Sequence, residues 1–384
     1  MKRRREMKHR TKRRSIAGVV MAIGLSIGIT ACGLSGNHTS DSERKDVESI
    51  KKENQIVDSS SEEMEQQKKE TVLKKTEYPL TITTYNTDGT ELKTVYEKAP
   101  EKVLAVYQGS IETMLALGLE EHLVATAGLD NEVPDEQKSA FSKTKYLDEF
   151  TPSLETVTML EPDMIFSWGS LFQDTTLGDT KGWIEKGVNL YMNTNTHPMQ
   201  NGVSYSKTLE NEYEDILNIG KIFDVQDRAE AIVNDMKDTI TKVEKETKGI
   251  KEKPTALILE SNKGTFTNYG ATSLGGDMVT KLGGKLVNTD SNEMGKEDVI
   301  TANPDVIFVV YMPYAGDDAE QVKQENLDVI LKDRAYGSLS AVKNNRIVPI
   351  MLSEMYASAT RTKDGIVTFA KGLYPELHLE LDGQ

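Results

Sequence analysis

The first sustained alternation of apolar and polar positions begins after Pro79, where Leu80-Thr81-Ile82-Thr83-Thr84-Tyr85 reads as a strand. Asn86-Thr87-Asp88-Gly89-Thr90 is turn chemistry, and Glu91 to Tyr96 alternates again, so a β-hairpin is predicted. Val103-Leu104-Ala105-Val106-Tyr107 then predicts a buried strand. Ser110 stands where it can cap a helix over Ile111 to Leu117, closed by Gly118, and Leu123 to Ala127 predicts the next strand. Farther on, Ser206 to Gly220 carries Leu209, Tyr213, Ile216 and Leu217 at helical spacing. Gln226 to about Lys248 puts Ala229, Ile232, Val233, Met236, Ile240 and Val243 on one face and charges on the other. Such a helix is roughly 33 Å long, enough to brace two lobes. Strands alternating with helices predict α/β layers around a parallel sheet.

One pattern occurs twice. Glu155-Thr156-Val157-Thr158-Met159-Leu160-Glu161-Pro162-Asp163-Met164-Ile165-Phe166 and Glu297-Asp298-Val299-Ile300-Thr301-Ala302-Asn303-Pro304-Asp305-Val306-Ile307-Phe308 agree at six of twelve positions without a gap. Each reads as a short helix stopped before Pro-Asp, followed by a strand apolar enough to be covered on both faces. The repeat predicts two lobes of similar design.

The N-terminus is built differently. Its first fourteen residues hold nine Lys or Arg against one Glu, and an apolar run from Ile16 to Ile29 follows. That run is short for a permanent span and is flanked like an export signal. It ends in Ile29-Thr30-Ala31-Cys32-Gly33, which resembles a lipoprotein signal; the resemblance implies cleavage before Cys32 and acylation of its thiol. Cys32 is the only cysteine, so no intrachain disulfide is available. Gly33 to about Glu77 is too polar to bury a core and predicts a flexible tether with a reach of roughly 35–40 Å. The whole chain carries a formal charge of −15, and removal of the basic leader leaves a more acidic protein. Such a surface argues against nucleic acid as a partner and against electrostatic attachment to anionic lipid. The lipid itself must anchor the chain, which a multiply acylated Cys does and a single acyl chain does poorly.

From about Pro100 to Pro375 the chain resembles the bacterial substrate-binding proteins for ferric siderophores, haem and cobalamin that serve ABC importers. The resemblance is carried by Glu101-Lys102-Val103-Leu104-Ala105, and by Ser153-Leu154-Glu155 with Glu161-Pro162-Asp163-Met164-Ile165. It extends to the helix from Gln226, to Asn303-Pro304-Asp305-Val306-Ile307, and to Lys363-Asp364-Gly365-Ile366 opening the last helix. It implies an α/β fold of two lobes with mainly parallel central sheets joined by one long helix, of the class III periplasmic-binding-protein type. The expected organisation is a leader at 1–31, a tether at 32–77, a first lobe at 78–205, connecting helices at 206–250 and a second lobe at 251–384. The resemblance also implies that Glu155 and Glu297, one on each lobe, pair with arginines of the permease subunits. The physical logic is bidentate Arg–carboxylate pairing at two points, which steers docking and sets its register.

Ligands of open α/β sheets sit beyond the carboxyl ends of the strands. The loops expected there carry Tyr107 and Gln108, Trp168, Tyr269, Tyr311 and Tyr314, and Tyr356 followed by Arg361. Aromatic residues are only 6% of the chain, so their presence in nearly every such loop predicts a site for a bulky amphipathic ligand. Lys263 and Arg361 are the candidate cations, and Phe266 is a further candidate aromatic. So few cations favour a neutral or cationic iron complex, such as a ferric hydroxamate, over an anionic chelate. Cobalamin is neutral and stays open. Haem would need an axial Tyr, Met or His, and of the five histidines only His197 stands near a strand-end loop. The clustered His and carboxylates that capture zinc are not seen, so no resident metal or cofactor is expected. An enzyme would call for a phosphate loop, His-Glu-x-x-His or G-x-S-x-G, none of which occurs. An adhesin would bind no small molecule. The expectation is therefore a monomeric, lipid-anchored binding protein on the outer face of the cell membrane, which hands an iron complex to an ABC permease and catalyses nothing.

Overall fold

Short, continuously apolar runs become the central strands. A computed structural model describes residues 75–289 and 291–381; the leader, Cys32 and the tether up to residue 74 lie outside the described residues. In the first half, β1 (Leu80–Tyr85) and β2 (Glu91–Tyr96) form the predicted antiparallel hairpin, with Leu80 opposite Tyr96 and Tyr85 opposite Glu91. The hairpin lies beside a four-stranded parallel sheet in the order β4-β3-β5-β6, made of β3 (Val103–Val106), β4 (Leu123–Ala127), β5 (Met164–Ser167) and β6 (Asn189–Met192). β3 and β5 are buried along their whole length, as a parallel sheet covered on both faces requires.

The second half holds a six-stranded mixed sheet. Its order is β10-β8-β7-β11-β12, with β9 also paired to β7. The strands are β7 (Thr255–Asn262), β8 (Thr265–Asn268), β9 (Lys285–Leu286), β10 (Glu293–Met294), β11 (Val306–Tyr311) and β12 (Ile347–Met351). Between the halves run the helices Leu209–Ile222 and Gln226–Thr247. The second has 22 residues and buries Ala229, Val233, Met236 and Val243, the stripe expected from its periodicity. It meets both lobes: Arg228 Nη1 donates to Leu117 O of the first, and Asp235 pairs with Lys363 of the second.

The duplicated motif is one structural unit built twice. Helices Leu154–Leu160 and Lys296–Ala302 end on left-handed residues, Glu161 (φ 47°) and Asn303 (φ 40°), and the following Pro cannot continue a helix. The Asp after each Pro clamps the start of the neighbouring strand. Asp163 accepts from Glu101 N and Lys102 N at 2.8 and 2.9 Å, and its own N–H donates to Lys102 O. Asp305 accepts from Thr255 N and Thr255 Oγ1 at 2.8 and 2.7 Å, and its N–H donates to Thr255 O.

Two local expectations change. The helix expected from Ser110 begins earlier, at Gln108, because Tyr107 takes a positive φ of 83° and turns the chain at once. Ser110 is not its cap; its buried hydroxyl donates to Asn193 Oδ1 at 2.9 Å, tying the ends of β3 and β6 together. The segment after Glu260 is not a cleft loop. β7 runs on to Asn262 and reverses through Lys263 and Gly264, both at positive φ, into β8. Lys263 is thereby exposed on a hairpin turn, and Phe266 is buried in the core of the second lobe.

Candidate ligand-binding site

Aromatic rings from both lobes meet between the sheets. Trp168, directly after β5, packs on Tyr107 after β3 with ring centroids 3.8 Å apart. It also faces Tyr356 of the second lobe at 5.7 Å, and Tyr356 meets Tyr269 edge-on at 6.3 Å. Beside this row opens a cavity of about 530 Å³. Trp168, Tyr269 and Tyr356 line it, together with His197, Tyr205 and Lys207 from the segment after β6 and Asn268 from β8. Among the described residues Lys207 is the only Asp, Glu, Lys or Arg in the lining. Its Nζ donates to Tyr356 Oη at 2.9 Å and lies 4.0 Å from the centre of that ring. A cation held against a ring face in a partly dry site is worth about 0.5–2 kcal/mol and stays presented to a ligand.

The other expected residues divide. Tyr107 and Gln108 line only a residual gap of about 20 Å³, room for about one water and not for a chelate. Gln108 is engaged on both sides of its amide: Nε2 donates to Glu112 at 2.5 Å, and Oε1 accepts from Asp130 N and Asn131 N. Burial, and then Asp130, push the Tyr107 hydroxyl well above its ordinary range, so it stays a neutral donor. Trp168 Nε1–H is buried without an acceptor among the described residues. Tyr311 ends β11, with burial pushing its hydroxyl up to about 12, and Tyr314 is 60% exposed on the next loop; neither lines the cavity.

Arg361 is not a cleft cation. Its Nε and Nη2 pair with both oxygens of buried Glu112 at 2.8 and 2.6 Å, and Nη2 also donates to Glu132 O. Burial opposes the guanidinium charge, but Glu112 holds it, and the pair locks the second lobe to the first. A second tie lies alongside: Ala359 N donates to Glu212 Oε2 at 2.6 Å, and Asn195 Nδ2 donates to Glu212 Oε1. Asp215, one turn farther along the helix, accepts from Tyr191 Oη, Thr194 N and Thr194 Oγ1. Burial raises both carboxyls above the ordinary range.

Residues 103–351 match the sequence profile of the Periplasmic binding protein family. The chain belongs to that family. A relative, the petrobactin-binding protein YclQ of Bacillus subtilis, is 24% identical over 270 residues, covering 68% of this chain and 78% of YclQ. The solved structure of a periplasmic binding protein from Veillonella parvula is 28% identical, with a TM-score of 0.72, and covers 81% of this chain and 96% of that one. The structure of an ABC-type Fe3+-hydroxamate transport system from Saccharomonospora viridis shares the fold at 23% identity and a TM-score of 0.59, over 77% of this chain and 99% of that one. Trp168 and Tyr269 fall inside the family match. The β1–β2 hairpin, Tyr356 and Arg361 fall outside it, so what they do is read from this structure alone. Glu155 and Glu297 hold the same place in the two duplicated units: each is the second residue of its helix, exposed, and in no ion pair among the described residues. No helix among the described residues is long and apolar enough to cross a membrane.

Sequence reasoning passed over Tyr205 and Lys207 and weighed His197 only as an axial ligand for haem. The signal was present, because the segment after β6 is also a strand-end loop, and the rule that gathered the others applies to it.

Proposed function

We propose that this chain is the lipid-anchored substrate-binding subunit of an ABC importer on the outer face of the cell, and that its cavity carries a ferric siderophore of hydroxamate type. The carrying observation is the cavity itself: a wall of aromatic rings from both lobes with, among the described residues, a single charged side chain, Lys207. Its size falls in the range of roughly 300–1,000 Å³ usual for small-molecule sites. Rings give a bulky chelate flat contact, and one cation suits a complex of low net charge. Family membership and a relative named for binding petrobactin support an iron complex as the cargo. The protein binds without turnover, and Glu155 and Glu297 engage the permease. Ferric trihydroxamate is expected to quench the fluorescence of Trp168, with haem and cobalamin as the competing arms of the titration. The chain has one other tryptophan, Trp183, buried in the first lobe with Nε1 donating to Leu177 O. A Trp168→Phe variant should lose most of the quenching; equal quenching in the variant removes Trp168 from the site.

Cys32 is proposed as the acylated anchor. Cys32→Ser is expected to move the protein from the membrane fraction to the medium with ligand binding unchanged, and retention in the membrane would refute the anchor.

A further inference from the structure

The β1–β2 hairpin lies outside the family match, yet it reaches the cavity wall. Tyr85, the last residue of β1, stacks on His197 with centroids 4.1 Å apart and planes at 16°. Tyr205 covers the other face of the imidazole at 3.7 Å and 14°, and its hydroxyl donates to His197 O at 2.9 Å. The hairpin is pinned there in two further ways. Met192 N donates to Thr84 Oγ1 at 2.9 Å, fixing β1 to the end of β6. At the turn, Gly89 has a φ of 79° and stands so close to Pro198 O that any Cβ would collide with it. The Trp168 loop closes from the opposite side, with Gly169 N donating to Thr196 Oγ1 at 2.9 Å.

This cage fixes more than the plane of the ring. His197 Nδ1 lies 2.8 Å from Pro198 O, and a carbonyl only accepts, so Nδ1 carries the proton. Nε2 is then left with its lone pair on a residue that lines the cavity, and no protein donor to it is present among the described residues. We infer that His197, caged between Tyr85 and Tyr205 by the hairpin, is a specificity-determining hydrogen-bond acceptor that reads an N–H or O–H group on the organic part of the ligand. The inference rests on this cavity being the ligand site. It gives the site a division of labour: Lys207 meets acceptor oxygens of the ligand, and His197 meets a donor.

The electrostatic surroundings agree. Burial, joined by the nearby Lys207 charge, lowers the affinity of His197 for a second proton. The charged and titratable groups around the stack are Lys207 in the cavity wall, Asp215 and Glu214 on the connecting helix, Glu91 on β2, and the hydroxyls of Tyr85, Tyr205 and Tyr356. The acceptor is therefore present at neutral pH and is lost as the pH falls through the lowered value of His197.

Two measurements test this, one needing no ligand. Side-chain nitrogen NMR of the full chain, with the His197 signal assigned by its absence in His197→Phe, should show the Nδ1-protonated tautomer titrating below the ordinary value near 6.5. Tyr85→Leu and Gly89→Ala should move that titration back toward the ordinary value. An Nε2-protonated tautomer, or an ordinary titration in the parent, overturns the inference whatever the cargo proves to be. The second measurement uses ferrioxamine B, a ferric trihydroxamate with amide N–H groups and an ammonium arm, titrated by Trp168 quenching. His197→Phe keeps a ring in the stack and removes the acceptor, so it should weaken binding about tenfold or more at neutral pH. The parent should lose affinity on acidification while the variant stays flat. Equal affinity and equal pH profiles in parent and variant sink the acceptor role. Absence of ferrioxamine binding in the parent counts against the hydroxamate cargo, and the NMR result then decides for His197 alone.

Discussion

Arg361→Ala is expected to destabilise the folded chain by about 3–5 kcal/mol, because it strands a buried carboxylate. The Glu112 side chain has no exposed surface, and Arg361 supplies two of the hydrogen bonds that make burial of its charge tolerable. Gln108 supplies another, and it cannot neutralise the charge. The guanidinium comes from the start of the last helix and the carboxylate from the first helix of the other lobe, so the loss also unties the lobes. A urea midpoint, read with the slope of the transition, measures it. The double replacement Glu112→Gln with Arg361→Met should be milder than Arg361→Ala alone, since removing both charges leaves none unpaired. A loss below about 1 kcal/mol for Arg361→Ala would mean that the pair behaves as a solvated surface bridge.

Charge reversal at both Glu155 and Glu297 is expected to abolish delivery to the permease while leaving ligand affinity unchanged. Both carboxylates are exposed on first turns of the duplicated helices, and neither lines the cavity. Lys296 beside Glu297 is tied to Asp333 at 2.6 Å, which leaves the Glu297 carboxylate available to an outside cation. Alanine at either position should lower uptake, and alanine at both should lower it further. Lysine should be worse than alanine, because it sets like charge against the arginines expected on the permease. A desolvated charge pair at an interface is worth on the order of 2–5 kcal/mol when one partner is removed, and a rim pair much less. The size of the single-alanine defect therefore places each glutamate at the centre or the rim. Uptake of labelled ligand by cells, paired with solution affinity, checks both halves. Parental uptake in the two alanine variants would remove the docking role, and so would loss of ligand binding in either.

The amino-acid sequence by itself determined the elements whose cause is local. The hairpin follows from alternation around Asn86 to Thr90, and β3, β5 and β11 from apolar runs that only a covered sheet can hold. The repeat is legible because each Pro-Asp does the same work twice, ending a helix and clamping the next strand. That Trp168, Tyr269 and Tyr356 share one cavity was legible because strand ends converge in such folds. Tertiary structure decided the rest, through contacts between residues far apart in the chain. Arg361 reads as a free cation until Glu112, 249 positions away, is found against it. Phe266 and Lys263 read as loop residues until the positive φ at Lys263 and Gly264 sends β7 back into β8. Lys207 belongs to the strand-end segment after β6, but nothing local says that its ammonium will rest against Tyr356, 149 positions away. His197 becomes an oriented acceptor only where Tyr85, more than a hundred residues earlier, closes over its ring. Periodicity records which face of an element is buried; it holds no record of which distant group will meet that face, and that meeting sets charge, tautomer and cavity shape.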